Sequence, residues 1–167
     1  MTDYVAEMRG AALGARLRRL SAIIDADAAR VYAARGIRFE QRWFGVINQL
    51  ALRGPLSVSA LAETLQISHP SVSEARQSLE RAGFVQSALD PEDSRRRILM
   101  LSPAGVEFVN RLRPMWAVFD DVARQLDAEA GEVTQALARL EQALARRSLY
   151  GRIMDGIDLP SGETSDS

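Results

Sequence analysis

Two short amphipathic helical patterns separated by a tight turn constrain the fold of this chain more than any other feature. Apolar residues recur at helical spacing over 58–65 and again over 69–82, where the stripe consists of Val72, Ala75 and Leu79. A serine directly precedes each pattern, at the position where a side-chain oxygen caps the first helical turn. We therefore predict a helix-turn-helix whose second helix begins at a capping serine.

Two short β patterns follow the second helix. Residues 84–88 and 98–101 form the two runs, and the sequence LDPEDSRRR separates them. The Asp-Pro pair and the charge density of this sequence are typical of an exposed hairpin loop. A helix-turn-helix followed by a hairpin is a DNA-reading arrangement, in which the second helix enters the major groove and the hairpin contacts the backbone or the neighbouring minor groove.

Longer helical patterns flank this segment on both sides. Helices are expected over 11–34 and 39–52 before it, and from Ser102-Pro103 onward and over 129–149 after it. The fold class is therefore mainly α, with an α+β winged helix at its centre. The expected domains are N-terminal dimerisation and scaffold helices (1–53), a winged helix-turn-helix lobe (54–102), C-terminal dimerisation helices (103–154) and a disordered polar tail (155–167).

The composition argues against most enzyme and metal-site classes. The chain has no cysteine and one histidine, His69, so it offers neither a thiolate zinc site nor a multi-histidine site. It contains no GxGxxG and no P-loop motif. We expect no cofactor, no metal and no catalytic activity. No apolar window is long enough to span a membrane, and the N-terminus lacks the apolar region of a signal peptide, so a cytoplasmic location is expected.

The net charge of the chain is near zero, but three arginines lie together in the predicted hairpin loop. The net charge of −1 argues against a uniformly basic coat. Every basic residue is an arginine, which suits phosphate and guanine edges, although a lysine-free chain equally reflects a GC-rich genome. Arg95, Arg96 and Arg97 fall together in the hairpin loop. An isolated run of this kind is usually a solvated charge cluster, but its place after a recognition-type helix favours a DNA contact.

The run from Leu56 to Gly105 resembles the winged helix of the MarR family of transcription regulators. The family pattern combines an ELA-like short helix, an LS-xx-TVS/T recognition start, LExxGLV, DPxDxR and LTxxG. The matching residues are Leu61-Ala62-Glu63, Ile67-Ser68, Ser71-Val72-Ser73, Leu79-Glu80, Gly83-Phe84-Val85, Asp90-Pro91, Asp93, Arg95, Leu101-Ser102 and Gly105. The flanking helices also match the family layout.

The resemblance implies a sequence-specific regulator, most simply a repressor, that binds a pseudo-palindromic duplex operator as a homodimer. Arg95 matches the wing arginine that enters the minor groove in such proteins. Asp93 matches the acid that holds the wing in shape, and Ser71 and Ser73 match hydroxyls of the recognition helix. The expected DNA-contacting set is Ser68, His69, Pro70, Ser71, Ser73, Glu74, Gln77, Arg81, Arg95, Arg96 and Arg97.

Glu74 departs from the family pattern, in which arginine or glutamine is common after the VS/VT pair. Phosphates repel a carboxylate, although a carboxylate accepts a hydrogen bond from the cytosine N4 amine. Two interpretations follow. Either Glu74 reads a cytosine, or it pairs with Arg81 or Arg53 and weakens non-specific binding.

Aromatic and basic residues of the flanking helices suggest an effector pocket. In proteins of this kind a small aromatic or anionic effector often lodges between the dimerisation helices and the DNA-binding lobe. The candidate lining is Tyr32, Phe39, Arg42, Trp43, Met115 and Trp116. The alternative is that these aromatics belong to an ordinary core, as aromatics at helical spacing usually do.

The apolar stripes of the first and last helices exceed what one lobe covers, which favours a dimer interface.

Two further functions remain open beside DNA binding. A winged helix used only for protein contacts is compatible with Glu74 and the near-neutral charge. The second alternative is the regulatory half of a split acyltransferase, a layout known for related winged helices.

Overall fold

The computed structural model describes residues 9–90 and 97–158. A 3-10 turn (Arg9–Ala12) precedes seven helices and three strands in these ranges. The elements are α1 (Leu13–Ala34), α2 (Trp43–Arg53), β1 (Leu56–Ser57), α3 (Val58–Leu65), α4 (His69–Arg81), β2 (Val85–Leu89), β3 (Arg97–Leu101), α5 (Pro103–Glu129), α6 (Val133–Arg146) and α7 (Leu149–Asp158). The chain divides into two compact units, Met1–Leu112 and Arg113–Ser167.

The first unit contains a winged helix built as the sequence predicts. Strands β1, β3 and β2 lie side by side in that order and are antiparallel. Leu99 at the centre of β3 pairs with Leu56 on one side and Ser87 on the other. Helices α2, α3 and α4 pack on one another, α2 and α3 also pack on β3, and α4 packs on β2, so the sheet and the helix-turn-helix share one core.

The core of this unit consists of large apolar side chains contributed by helices α2 to α5 and strand β3. The fully buried members are Trp43, Val46, Ile47, Leu61, Val72, Leu79, Leu99 and Leu112. Their spacing on α2 and α4 follows the helical period that the sequence shows, because only one face of each helix meets the core.

Helix α2 begins later than the sequence pattern predicts. The segment 40–42 forms a turn, in which the amide of Trp43 donates to the Glu40 carbonyl (2.8 Å) and that of Phe44 donates to the Gln41 carbonyl (3.1 Å). Phe39 and Glu40 therefore precede the helix, although the predicted helix included both.

The second unit differs from prediction in the number of its helices. One last helix over 129–149 was expected, but α5 continues to Glu129 and two shorter helices, α6 and α7, follow. Gly131 and Glu132 adopt positive φ angles of 80° and 60° and turn the chain between α5 and α6. Asp127 fixes this turn by accepting hydrogen bonds from the Thr134 amide (2.9 Å) and hydroxyl (2.6 Å).

A cap that sequence periodicity does not reveal separates α6 from α7. Arg147 is extended, and the Ser148 hydroxyl accepts the amide of Gly151 at 3.1 Å. The Arg152 guanidinium donates to the carbonyls of Ala143 (2.8 Å) and Arg147 (3.1 Å). Helix α7 runs to Asp158 and so extends into the segment expected to be a disordered tail, the rest of which lies outside the described residues.

Among the described residues, none of the helices is both long and apolar enough to cross a bilayer.

Candidate nucleic-acid interface

Helix α4 starts at a side-chain cap, as the sequence predicts. The Ser68 hydroxyl accepts the amide of Ser71 at 3.3 Å and lies 2.8 Å from the Ser71 hydroxyl. His69 and Pro70 occupy the first turn, where proline leaves no intrahelical hydrogen bond unmade. Ser68 is thus a helix cap first, and its hydroxyl is already engaged with the first turn.

The two faces of α4 differ as a DNA-reading helix requires. Val72, Ala75 and Leu79 are buried in the core of the first unit, as predicted. The predicted contact residues of the opposite face are exposed, namely Ser68, His69, Pro70, Ser71, Glu74, Gln77 and Arg81. Ser73, also predicted to contact DNA, is only half-buried, at the edge between the two faces.

A glutamate at the end of α4 attaches the helix to the hairpin. Glu80 accepts hydrogen bonds from Arg76 on its own helix (2.8 Å) and from the Ser87 hydroxyl on β2. Both Arg76 and Glu80 are mostly shielded from solvent. The orientation of β2 relative to the recognition helix is therefore set by a charge-assisted contact as well as by apolar packing.

The hairpin carries one described arginine near its tip. Arg97 is exposed at the start of β3, opposite Leu89 in the ladder. Arg95, Arg96 and the predicted wing-structuring Asp93 lie outside the described residues. Their roles remain predictions.

Glu74 faces a different partner from those expected. Its carboxylate lies 3.9 Å from the guanidinium of Arg42, the residue just before α2, and 71% of its side chain is exposed. Arg81 instead donates to the Gln77 carbonyl at 3.3 Å. Within 9–90 and 97–158, the ion-pair partner of Glu74 is therefore Arg42, and the expected pairing with Arg81 or Arg53 is wrong. The Arg42–Glu74 contact joins residues far apart in the chain, so local spacing carries no signal for it.

A second carboxylate, that of Glu40, also binds the Arg42 guanidinium. Its Nε and Nη2 atoms lie 2.8 and 2.6 Å from one oxygen of Glu40. The same oxygen accepts the hydroxyl of the buried Ser78, on α4, at 2.9 Å. Glu40 thus connects the turn before α2 to the recognition helix. Ser78, which flanks the reading face on a helical wheel, is turned toward Glu40 instead.

The ionised form of Glu40 is favoured by these contacts. Burial raises the pKa of its carboxyl, but hydrogen bonds from Arg42 and Ser78, together with the charges of Arg42 and Arg38, outweigh burial. The pKa of Glu40 therefore lies below its ordinary value, and the carboxylate remains charged at neutral pH.

Three of the four aromatic residues suggested as an effector lining, Tyr32, Phe39 and Trp43, belong to a packed cluster within the first unit. Tyr32 stacks on Phe39 with ring centroids 4.3 Å apart, and Phe39 meets Trp43 edge-to-face at 5.8 Å. Phe84 stacks on Phe108 at 4.0 Å and meets Trp43 at 5.9 Å. Tyr32 and Trp43 are each only 2% exposed, as the core interpretation expects.

The other suggested lining residues are distributed between the units. Arg42 is engaged with Glu40 and Glu74. Met115 and Trp116 lie on α5 in the second unit and are half-buried. Over the described ranges, there is no grouping of three or more histidine, aspartate or glutamate side chains suited to a metal ion.

Comparison with known proteins finds a family match for the segment that contains most of the winged helix. Residues 39–96 match the model of the MarR family. The putative transcriptional regulatory protein for the hcr operon of Thauera aromatica is 32% identical over 99 residues. This match covers 58% of the chain and spans 60% of the length of that curated relative.

Solved structures show the same fold at low sequence identity. The S. aureus MepR–DNA complex has a TM-score of 0.61 and 23% identity, and the alignment covers 78% of this chain and 94% of that one. Bordetella bronchiseptica BpsR, whose DNA binding is regulated by 6-hydroxynicotinic acid, has a TM-score of 0.63 and 20% identity, with 77% and 92% covered. The likeness at these identities is one of fold.

Proposed function

We propose that this chain is a member of the MarR family, whose model its residues 39–96 match, and that it is a sequence-specific regulator of transcription that binds duplex DNA. It acts by occupying its operator, most simply as a cytoplasmic repressor without catalytic activity. Helix α4 enters the major groove, and the hairpin arginines contact the flanking minor groove.

The observation that carries this proposal is the exposed polar face of α4. Ser71, Gln77 and Arg81 project from a helix whose other face is anchored in the core. Hydroxyl, amide and guanidinium groups supply the donors and acceptors that read base edges and bind phosphates. A capped helix of this kind holds those groups in one register, because the cap fixes its first turn.

The hairpin supplies the second contact in this proposal. Glu80 and Ser87 link β2 to the recognition helix, so the hairpin has a defined attachment to α4. Arg97 is exposed near the hairpin tip, and Arg95 and Arg96 precede it in the sequence. Guanidinium groups at this position suit the negative potential of a narrow A·T-rich minor groove.

A homodimer is part of the proposal, because apolar side chains are exposed on helices outside the reading face. Helix α1 exposes Leu13, Leu17, Leu20, Ile23, Ile24 and Val31, and α7 exposes Leu149, Tyr150, Ile153, Met154 and Ile157. Exposed apolar faces of this extent normally mark an interface. Two copies related by a two-fold axis would place two α4 helices on half-sites about one helical turn apart.

Regulation by a small molecule is the last part of the proposal. BpsR, which shares the fold, responds to 6-hydroxynicotinic acid, an aromatic acid, and this is the class of effector expected from the sequence. An effector that changes the spacing of the two DNA-binding lobes of the dimer would shift the population away from the DNA-binding state.

Salt-dependent duplex binding tests the proposal. The measurement is fluorescence anisotropy of a labelled duplex titrated with the protein at several salt concentrations. We expect a steep loss of affinity with salt, because phosphate contacts release counterions. Arg95→Ala should weaken binding by roughly 1–3 kcal/mol, whereas Arg139→Ala, the same truncation on α6, should leave it unchanged. Salt-independent binding, or no binding at all, would favour a protein-interaction module instead.

A further inference from the structure

A carboxylate on a DNA-reading helix is unfavourable unless something controls where it points. Glu74 is the one acidic residue on the exposed face of α4 within the described residues. Its side chain is 71% exposed, so rotation about its own bonds brings the charge toward phosphates. The affinity of the helix for any duplex therefore depends on whether this side chain is restrained.

Arg42 is placed to supply the restraint. It lies 3.9 Å from Glu74, and it belongs to the segment before α2 rather than to the recognition helix. Its guanidinium is fixed by Glu40, which contacts both Nε and Nη2. A side chain held in this way loses little further conformational entropy when it meets a second carboxylate, because its fork is already oriented.

Glu40 is itself fixed to the recognition helix. The buried Ser78 hydroxyl donates to the Glu40 oxygen that also meets Arg42. Ser78 lies one helical turn after Glu74 on α4. The chain of contacts therefore leaves α4 at Ser78, passes through Glu40 and Arg42, and returns to the same helix at Glu74.

We propose that Arg42 is a positioning residue for Glu74, and that it raises the affinity of the recognition helix for duplex DNA by holding this carboxylate away from the phosphate backbone. The inference rests on the proposed function, because it concerns how α4 meets duplex DNA. Without Arg42, Glu74 rotates freely and repels phosphates of any sequence. The pair acts on affinity for all duplexes and reads no base.

A double-mutant cycle separates this role from a direct contact of Arg42 with DNA. Arg42→Gln is made in the Glu74 chain and in an E74Q chain, and each protein is titrated at low salt with a mixed-sequence duplex of about 30 base pairs, enough for two half-sites. R42Q should weaken binding about two- to fivefold when Glu74 is present, the range expected of an exposed ion pair. In the E74Q chain, the same substitution should leave the affinity unchanged.

Arg38→Gln is the matched control. Arg38 is exposed and its charge acts on Glu40, and Glu74 pairs with Arg42 rather than with Arg38 among the described contacts. Removal of the same charge at this site should change the affinity equally in both backgrounds. Arg42→Lys, which keeps the positive charge, should retain the wild-type affinity. Thermal melting of each variant checks that it is folded. If R42Q does not fold, the affinity of R42K still tests whether a positive charge at this position is sufficient.

Three results would overturn the proposal. An equal loss from R42Q in both backgrounds would mean that Arg42 contacts DNA independently of Glu74. A loss from R42K as large as that from R42Q would contradict a restraint based on charge. An E74Q chain that loses preference for one cytosine in selected duplexes would make Glu74 a base reader. Failure of the wild-type chain to bind any duplex would instead overturn the proposed function, and that result is seen before any substitution.

Discussion

Gly105 lies where helix α5 starts against the hairpin, and a single methyl group there should disrupt the winged helix. A Cβ atom at this position would be 2.0 Å from the carbonyl oxygen of Phe84 and 2.9 Å from its carbonyl carbon. Both atoms belong to the backbone, so no side chain can rotate away to relieve the clash. We therefore expect Gly105→Ala to separate the start of α5 from residues 83–84.

The contacts that would be lost set the magnitude. The Ser102 amide donates to the Phe84 carbonyl at 3.0 Å, and the Ser102 hydroxyl donates to the Gly83 carbonyl at 2.6 Å. Overpacking in a well-packed core costs about 1–3 kcal/mol. Loss of one of these two hydrogen bonds adds about 1 kcal/mol. Their sum, about 2–4 kcal/mol, is a large part of the stability of a typical domain.

Urea denaturation followed by circular dichroism at one fixed protein concentration measures the change. Gly156→Ala on α7 is the control, because no described atom lies within 4 Å of a Cβ there. That variant should be unchanged or up to about 1 kcal/mol more stable, since alanine favours the helix over glycine. A G105A chain as stable as the G156A chain would refute the close approach of α5 to Phe84.

Two further predictions concern pH and assembly. Hydrogen bonds from Thr134 lower the pKa of Asp127 in the folded chain, so its contribution to stability is complete above the unfolded pKa of about 3.9 and is lost as pH falls through the lower folded pKa. In the Asp127→Asn variant the melting temperature should therefore fall less steeply at acid pH than in the wild-type chain. An equally steep fall in the two proteins would contradict this. Ile24→Glu on α1, where 58% of the isoleucine is exposed, should shift the dimer toward monomer in analytical ultracentrifugation, whereas Leu52→Glu on α2 should not. Equal behaviour of these two variants would count against α1 as the interface.

The helix-turn-helix and the hairpin were predictable because their signals are local. Ser57 and Ser68 are each followed by a helical stripe, and both act as N-caps, accepting amides at 3.1 and 3.3 Å. The buried positions on α4 follow directly from the helical period. The fold class and the inward face of the recognition helix therefore required no information from distant parts of the chain.

The features that sequence patterns missed depend on contacts between distant residues or on single caps. Arg42 meets Glu74 only after α2 and α4 pack together, and Ser78 turns inward because Glu40 lies beside it. The break between α6 and α7 rests on Ser148, whose capping role leaves the apolar periodicity undisturbed. Apolar periodicity indicates which face of a helix is buried, but it does not indicate which polar side chains from different elements contact one another.

Selection of bound fragments from random duplex DNA tests the central claim most directly, since the operator sequence need not be chosen in advance. The account predicts enriched fragments with a two-fold symmetric sequence, whose half-sites are separated by about one helical turn. Symmetry is expected because two copies of α4 read the two halves. Recovery of fragments without a shared sequence, or with a single unpaired half-site, would contradict a dimeric sequence-specific regulator.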